Sequence, residues 1–226
     1  MLLLEVIVQS VEDARAAAEG GADRLEVVRA IREGGLTPSP SLIDEIRQAT
    51  PLPLRVMVRG NSGYDSTPDE LRRLQRAAGV FAAAGIDGLV AGFAQNGELA
   101  LDELLAVIAA APGVPVTFHR AFDALTEPER AIDVLAEIPA IDRILTSGGE
   151  GTALERSARL HNYSARAGSR LTIIAGGGVD EEAIAVFARA GCVREIHVGR
   201  LAREGFDPEG PVSAARVRRI RDLADG

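Results

Sequence analysis

The sequence repeats one junction, in which the alanine-containing end of a helix runs directly into a short apolar strand. Four copies begin at Ala22, Ala84, Ala140 and Ala190, and each strand ends in polar residues or glycine. Successive copies are separated by roughly 50–65 residues, and a motif at such intervals is typical of a closed, repeated architecture. The junction therefore predicts a repeated fold whose functional residues lie at the ends of its strands.

Between these copies, short apolar strands alternate with helices that begin at recognisable capping residues. The segment Thr67-Pro68-Asp69-Glu70 combines an N-cap, a proline at the first helical position and acidic residues in the first turn. The pattern predicts eight strands, at residues 2–8, 24–28, 54–59, 88–92, 115–120, 143–147, 171–175 and 195–199. Helices are expected to begin near Ser10, Ser39, Thr67, Leu101, Thr126, Thr152, Asp180 and Val212.

Eight strand–helix units within 226 residues predict an α/β fold of the (β/α)8 or TIM barrel type, with residues 1–226 forming a single domain. An open, doubly wound sheet is the alternative, but it usually contains fewer strands. In a barrel, the functional face is the ring of loops that follow the C-terminal ends of the strands.

Composition limits the partners and the chemistry of the chain. Its formal net charge is −8, which argues against nucleic acid because phosphate backbones bind basic surfaces. Every basic residue is arginine, so Schiff-base chemistry through lysine is excluded. The single cysteine, Cys192, permits no internal disulfide. The N-terminus lacks the basic start of a signal peptide, and prolines interrupt the longest uncharged stretch, 104–118. We therefore expect a cytoplasmic protein without a membrane segment.

Charged side chains within the first three strands are the first candidates for a functional site. Glu5 and Glu26 lie within the first and second strands, and Arg59 ends the third. Buried carboxylates are costly unless they are paired, so the two glutamates are expected either to face a ligand or to form a salt-bridge network with Arg55 or Arg59. Glu5, Glu26 and Arg59 are therefore candidate catalytic residues.

The segment Thr117–Asp123 contains the densest group of reactive side chains. His119 ionises near neutral pH in its ordinary state and is a candidate acid–base residue, as is Asp123 just beyond the strand. Because side chains alternate along a strand, His119 and Arg120 are expected to face opposite sides, so that one of them reaches the lumen. Other lumen residues are expected at the ends of the sixth strand and within the eighth, namely Thr146, Ser147 and His197.

A glycine run follows the seventh strand and precedes the helix that Asp180 opens. Glycine lets backbone N–H groups approach an anion, and the helix N-terminus adds positive potential. The eighth strand also ends in glycine, and barrels often bind phosphate with the loops after strands seven and eight. We expect an anion site formed by Gly176, Gly177, Gly178, Gly199 and Arg200. The alternative is a tight turn that needs glycine for steric reasons.

Motifs along nearly the whole chain resemble those of the CutC family, which is named for copper homeostasis. The two longest are Glu33-Gly34-Gly35-Leu36-Thr37-Pro38-Ser39 and Thr117-Phe118-His119-Arg120-Ala121-Phe122-Asp123. Shorter ones lie at 4–5, 21–26, 145–149 and 175–179. The resemblance implies a cytoplasmic (β/α)8 barrel that self-associates, for example as a homodimer, and that is linked to copper handling. Copper is the bound metal that the resemblance implies, and its ligands are not assigned by any motif.

The chain departs from the family pattern at two places that bear on copper. Family members often carry cysteine just after the glutamates of the first and second strands, where this chain has Val6-Ile7-Val8 and Val27-Val28. Cu(I) prefers thiolate or thioether ligands, and Cys192 precedes strand eight, at the end of the barrel opposite to the predicted site. The loop Arg59-Gly60-Asn61-Ser62-Gly63 replaces a more usual Arg-Pro-Arg-Gly-Gly, which removes one positive charge.

Three functions are open at this point. The first is a CutC-type copper homeostasis protein that binds metal weakly or indirectly. The second is an enzyme with isomerase- or lyase-like chemistry on a small anionic or phosphorylated substrate. In that enzyme Glu5 or Glu26 would act with His119 as acid and base, and Arg59 would hold the anion together with residues 176–178. The third is a scaffold that acts only through contacts between subunits.

Overall fold

The backbone of the computed structural model, which describes residues 1–226, closes into a barrel of eight parallel strands. The strands are β1 (Leu3–Val8), β2 (Arg24–Val27), β3 (Leu54–Met57), β4 (Gly88–Ala91), β5 (Val116–Phe118), β6 (Ile141–Thr146), β7 (Thr172–Ala175) and β8 (Glu195–Val198). Each strand pairs with the next one along the chain, and β8 pairs with β1. The predicted (β/α)8 barrel is confirmed, and the four repeated junctions precede β2, β4, β6 and β8.

Eight helices surround the barrel. They are α1 (Val11–Glu19), α2 (Pro40–Ala49), α3 (Pro68–Ala83), α4 (Leu101–Ala109), α5 (Pro128–Ala136), α6 (Ala153–Ala167), α7 (Glu181–Ala190) and α8 (Ala214–Asp225). Five of the helices begin at a predicted cap whose side chain accepts a backbone N–H of the first turn, namely Ser10, Ser39, Thr67, Thr152 and Asp180. The helices α4, α5 and α8 begin without a side-chain cap. None of the helices combines the length and the hydropathy that a membrane span requires.

Side-chain alternation divides the strands into an outer apolar face and an inner polar face. In β1, Leu4, Val6 and Val8 are fully buried in the main apolar core, whereas Glu5 and Ile7 belong to the alternate set that faces the barrel interior. Val28, Met57 and Val90 form a second, smaller apolar cluster with Ile7. The core therefore lies between strands and helices, and the barrel interior is left for charged residues and a few apolar ones.

The register of the first strands decides which residue neutralises Glu5. Glu5 lies opposite Arg24 of β2 in the parallel ladder, and the Arg24 guanidinium contacts the Glu5 carboxylate at 2.5 Å. A second carboxylate, that of Glu195 in β8, lies 2.5 Å from the same guanidinium. The expectation that Arg55 or Arg59 would pair with Glu5 is wrong, because Arg24 occupies the adjacent ladder position.

The other charged side chains at the level of Glu5 and Glu195, here called the barrel floor, extend this salt-bridge network to neighbouring strands. Arg143 of β6 contacts Glu195 at 3.0 Å and also pairs with Asp142. Arg55 of β3 contacts Asp142 at 2.5 Å and donates to the Thr117 hydroxyl at 3.1 Å. Most of the inward charges at this level are therefore mutually neutralised, which agrees with the salt-bridge alternative stated for the lumen.

Two local features differ from the sequence prediction. A short hairpin (Ala94–Gln95 and Glu98–Leu99) follows β4. Its turn, Asn96-Gly97, has positive φ at both residues, as the Asn-Gly dipeptide favours. The strand expected at 115–120 ends at Phe118, because the His119 side chain caps a 3-10 turn at Arg120–Ala124.

Candidate functional site

An open cavity of about 820 Å³ lies at the C-terminal ends of the strands. Apolar side chains of Ile7, Met57 and Leu145 form part of its wall. Of the residues singled out in the sequence, those that line it are Glu26, Arg59, His119, Gly177, Gly178, His197, Gly199 and Arg200. Charged, imidazole and glycine positions from distant parts of the chain therefore converge on one space, as expected for a barrel mouth.

His197 connects a buried carboxylate of the floor with a carboxylate of the cavity. Its Nδ1 lies 2.8 Å from Glu5 Oε1, and its Nε2 lies 3.6 Å from Glu26 Oε2. Glu5 does not line the cavity; it lies one layer below, paired with Arg24 and His197. The second oxygen of Glu26, Oε1, is buried and has no hydrogen-bond partner. Of the two carboxylates, Glu26 is therefore the one that is available to a ligand.

The same contacts separate the proton affinities of the three groups. Burial by itself raises the pKa of Glu5, but Arg24 and His197 outweigh it and hold that pKa far below its usual range. Burial raises the pKa of Glu26 to about 7, although His197 opposes the increase. Burial by itself would lower the pKa of His197, but Glu26 and Glu5 outweigh it and raise that pKa. Glu5 is thus a fixed anion, and Glu26 can exchange a proton near neutral pH.

His119 is uncharged and presents a hydrogen-bond donor to the cavity. Its Nδ1 accepts the backbone N–H of Ala121 at 3.1 Å, so the single proton of the neutral ring belongs on Nε2. Nε2 is buried without a partner, and the residue is 2% exposed. Burial, and next the charge of Arg59, lower the pKa of His119 to about 3. The expectation that His119 titrates near neutral pH is wrong, because the folded environment excludes its charged form.

Arg59 organises the loops around the cavity. Its guanidinium donates to the carbonyl oxygens of Gly34 at 3.0 Å and Gly63 at 3.1 Å, and also to that of Ser62. It also lies over the Tyr64 ring, 4.8 Å from the centroid, where a cation is attracted by the π face. Because backbone carbonyls occupy three of its five N–H groups, Arg59 contributes mainly position and positive potential.

The glycine loop after β7 exposes unpaired backbone donors. The N–H groups of Gly177, Gly178 and Val179 donate to no acceptor in the chain. Arg156 of α6 binds the carbonyl oxygens of Gly177 at 2.9 Å and Gly178 at 3.1 Å. In a trans peptide the N–H points opposite to the carbonyl, so these two contacts turn the N–H groups of Gly178 and Val179 away from Arg156. The N-terminus of α7 follows directly and adds positive potential.

Arg120, which was not among the anion-site candidates, adds a cation to this loop. A Cβ atom placed on Gly177 would lie 2.7 Å from the Arg120 guanidinium carbon, so the guanidinium rests against the loop. Both His119 and Arg120 line the cavity, and the expectation that they face opposite sides is wrong. The reason is local: β5 ends at Phe118, and strand alternation does not apply to the 3-10 turn that follows.

Besides Glu5, four candidates lie outside the cavity lining. Asp123 accepts the Thr146 hydroxyl at 2.6 Å and the Ser147 N–H at 3.1 Å, and it holds Arg120 by a contact of 2.9 Å. Asp123, Thr146 and Ser147 therefore fix the turn after β5 against the end of β6, which positions Arg120. The N–H of Gly176 is used in a bond of 2.9 Å to the carbonyl of Thr146, so this glycine extends the barrel wall.

The sulfur donors of the chain do not fit a resident Cu(I) ion. The chain contains three sulfur atoms, in Met1, Met57 and Cys192, and only Met57 lines the cavity. Cys192 is buried in the outer apolar core before β8, at the opposite end of the barrel. No group of three or more His, Cys, Asp or Glu side chains is arranged to hold a metal ion. Cu(I) favours soft sulfur ligands, and the mouth offers one thioether and no thiol.

Fold and site together define a (β/α)8 barrel protein with a polar mouth that combines two titratable groups and a glycine loop. The model of the CutC family matches residues 2–201, and the chain belongs to that family. A CutC family protein of Bacteroides thetaiotaomicron is 38% identical over 205 residues, which are 89% of this chain and 81% of that protein. The human copper homeostasis protein cutC homolog is 33% identical over 200 residues, covering 86% and 72% respectively.

A solved structure supports the fold assignment independently. The crystal structure of the putative copper homeostasis protein CutC from Streptococcus agalactiae has a TM-score of 0.79 at 24% sequence identity. The match covers 87% of this chain and 98% of the other. The two chains therefore share the barrel fold.

Proposed function

We propose that the barrel mouth binds a small phosphorylated molecule and that Glu26 moves a proton on it. The observation that carries this proposal is the carboxyl group of Glu26, which is buried, has one unpartnered oxygen and faces the same cavity as the unpaired N–H groups of Gly178 and Val179. Leaving a buried polar atom unpaired costs free energy, and a ligand in the cavity would supply the missing partner.

The acid–base part of the proposal rests on the different proton affinities of Glu26, His197 and Glu5. A general acid or base works best when its pKa lies near the working pH, and burial brings the pKa of Glu26 to about 7. Glu5, held as an anion by Arg24, accepts from His197 Nδ1 at 2.8 Å and fixes the ring in place. Because the chain contains no lysine, the chemistry proceeds without a Schiff base, as an isomerase- or lyase-type proton transfer.

The anion-binding part rests on the glycine loop and its neighbours. Unpaired N–H groups at a helix N-terminus bind phosphate well, and Arg120 supplies a guanidinium against Gly177. Gly199, whose N–H is also unpaired, lines the cavity on the adjacent loop after β8. The backbone donors come from the loops after β7 and β8, a frequent position of bound phosphate in this fold, whereas Arg120 comes from the turn after β5.

The copper link of the family is proposed to be indirect in this chain, since the thioether of Met57 is the one sulfur ligand that the mouth offers to Cu(I). A cytoplasmic location and a homodimer stay predictions from the family resemblance. Neither is needed for the proposed chemistry, because all the groups named above belong to one chain.

Isothermal titration calorimetry with inorganic phosphate tests the anion site. We expect Arg120→Gln to weaken binding about 10-fold, since a charge-assisted hydrogen bond contributes about 1.5–3 kcal/mol and Arg120 is partly exposed. The matched control is Arg166→Gln on α6, an exposed arginine paired with Asp133, which should bind phosphate as the wild type does. If the wild type does not bind phosphate, or if both variants bind equally well, the proposed anion site is wrong.

A further inference from the structure

The proposed function assigns no role to the Nε2–H group of His119. His119 Nδ1 already accepts the Ala121 N–H, so capping the 3-10 turn requires only one of the two ring nitrogens. Nε2 is buried and unpartnered, and its residue lines the cavity. A purely structural role for His119 would leave this donor unsatisfied at a cost. The donor is therefore available to an acceptor atom of the ligand.

The ligand atom that accepts from Nε2–H has to suit a neutral donor. The glycine loop and Arg120 suit phosphate better than a neutral imidazole does, because they supply positive charge and several N–H groups. A carbonyl oxygen suits an uncharged imidazole, which can polarise it without being ionised. A carbonyl also makes the neighbouring C–H acidic enough for a carboxylate to remove its proton, and such a carboxylate, Glu26, lines the same cavity.

Resting on the proposed function, we infer that the substrate is a phosphorylated carbonyl compound whose carbonyl oxygen accepts a hydrogen bond from His119 Nε2–H. Glu26 takes the proton from the carbon next to the carbonyl. The electrons of the broken C–H bond form a carbon–carbon double bond, and the carbonyl π electrons move to the oxygen. When that carbon carries a hydroxyl group, the hydroxyl proton passes to the former carbonyl oxygen and the electrons of its O–H bond form the new carbonyl, while Glu26 returns its proton to the former carbonyl carbon. The product is the isomer, and the reaction consumes no oxidant, reductant or second substrate.

The charges around His119 favour this step. Arg59 and Arg120 both lower the pKa of His119 after the larger effect of burial. Burial, helped by the two guanidinium groups, keeps the imidazole neutral. The guanidinium groups also place positive potential where the enolate oxygen develops negative charge. Preorganised donors and charges of this kind stabilise a developing oxyanion more than they stabilise the ground-state carbonyl.

Two substitutions separate the cap of His119 from its cavity donor. In His119→Asn the amide oxygen can still accept the Ala121 N–H, as N-capping asparagine does, but the shorter side chain lacks a donor at the position of Nε2. In His119→Gln the longer side chain can place an amide N–H near that position. The matched control is His161→Asn, because His161 is exposed on α6.

Calorimetry with matched pairs of ligands tests the inference. The keto compounds dihydroxyacetone phosphate and ribulose phosphate are compared with glycerol phosphate and ribitol phosphate, in which the carbonyl is an alcohol. The wild type and His161→Asn are expected to bind the keto compounds about 3- to 10-fold tighter, the range of one net hydrogen bond. His119→Asn should lose this preference and still bind inorganic phosphate, and His119→Gln should recover part of it.

The outcomes distinguish the inference from the proposed function. If the wild type binds phosphate but shows no preference for the keto compounds, the carbonyl inference is wrong and the phosphate site stands. A preference that survives in His119→Asn also contradicts the inference, because another group then recognises the carbonyl. If none of the ligands binds, including inorganic phosphate, the proposed function itself is wrong.

Discussion

Replacing Glu26 by glutamine removes a carboxyl group whose proton affinity depends on folding. In the folded protein, burial raises its pKa from 4.5 to about 7. At any pH between these two values the folded chain retains a proton that the unfolded chain has released. The stability of the wild type therefore falls as the pH rises through this window. Glutamine cannot lose a proton, so the variant is free of this loss.

The size of the effect follows from the two pKa values. They differ by about 2.5, and each pH unit corresponds to about 1.36 kcal/mol, so the full effect is about 3 kcal/mol. The sequence pI is about 5.0, so measurements are best kept above pH 5.5. From pH 5.5 to 8.5, about 1.5 units of the window remain, and the free energy of unfolding of Glu26→Gln should gain about 2 kcal/mol relative to the wild type.

The neighbouring titration acts in the same direction. The pKa of His197 is raised chiefly by Glu26, against the effect of burial. The wild type therefore loses further stability above pH 6.5, the ordinary value for histidine, and the variant loses less. Glu5, whose pKa is lowered, changes stability only at pH values below this window.

Urea denaturation at half-unit steps between pH 5.5 and 8.5 measures the effect. Glu45→Gln, at an exposed site on α2, is the matched control for the loss of one carboxyl group. A change in packing would shift the free energy of unfolding of Glu26→Gln by the same amount at every pH, so it does not affect this test. A difference that stays constant to within about 0.5 kcal/mol over the whole range would refute the raised pKa of Glu26.

Three further predictions concern other parts of the chain. Gly177→Ala should lower the free energy of unfolding by about 1–2 kcal/mol and weaken phosphate binding, because φ is +78° there and the new Cβ meets the Arg120 guanidinium; urea melts and calorimetry measure both. Arg203→Met should cost about 3–5 kcal/mol in urea melts, because Arg203 is 1% exposed and contacts Asp13 at 3.0 Å. Cys192→Ser should leave Cu(I) affinity, measured against a competing chelator, unchanged, because burial raises the pKa of this thiol and keeps it from the mouth. Unchanged stability of the first two variants, or weaker copper binding by the third, would contradict these expectations.

The barrel was predictable because its signals are local. Capping residues such as Thr67 and Thr152 fix the helix starts. Each short apolar strand between the helices can be recognised from its own residues. The pairing of Glu5 with Arg24 requires the strand register in addition. The Asp23 carboxylate contributes to that register by accepting the Leu4 N–H at 2.7 Å. Once the register is known, the adjacent position of Arg24 follows.

The properties of the mouth were less predictable, because they depend on burial and on residues far apart in the chain. His119 is neutral because it is buried and lies near Arg59, a residue of the loop after β3. Arg120 was missed because the alternation rule was extended two residues past the end of β5. The clamp from Arg156 to the carbonyls of the glycine loop requires α6 to pack beside that loop, and nothing local in the sequence indicates it.

Proton exchange with solvent is the most direct test of Glu26 as the group that moves a proton. The wild type is incubated in D2O with dihydroxyacetone phosphate or ribulose phosphate, and loss of the C–H signal next to the carbonyl is followed by proton NMR. We predict exchange with the wild type, a decrease of about 100-fold or more with Glu26→Gln, and wild-type exchange with Glu45→Gln. Exchange that is equally fast with Glu26→Gln, or absent with the wild type although both compounds bind, would contradict the account.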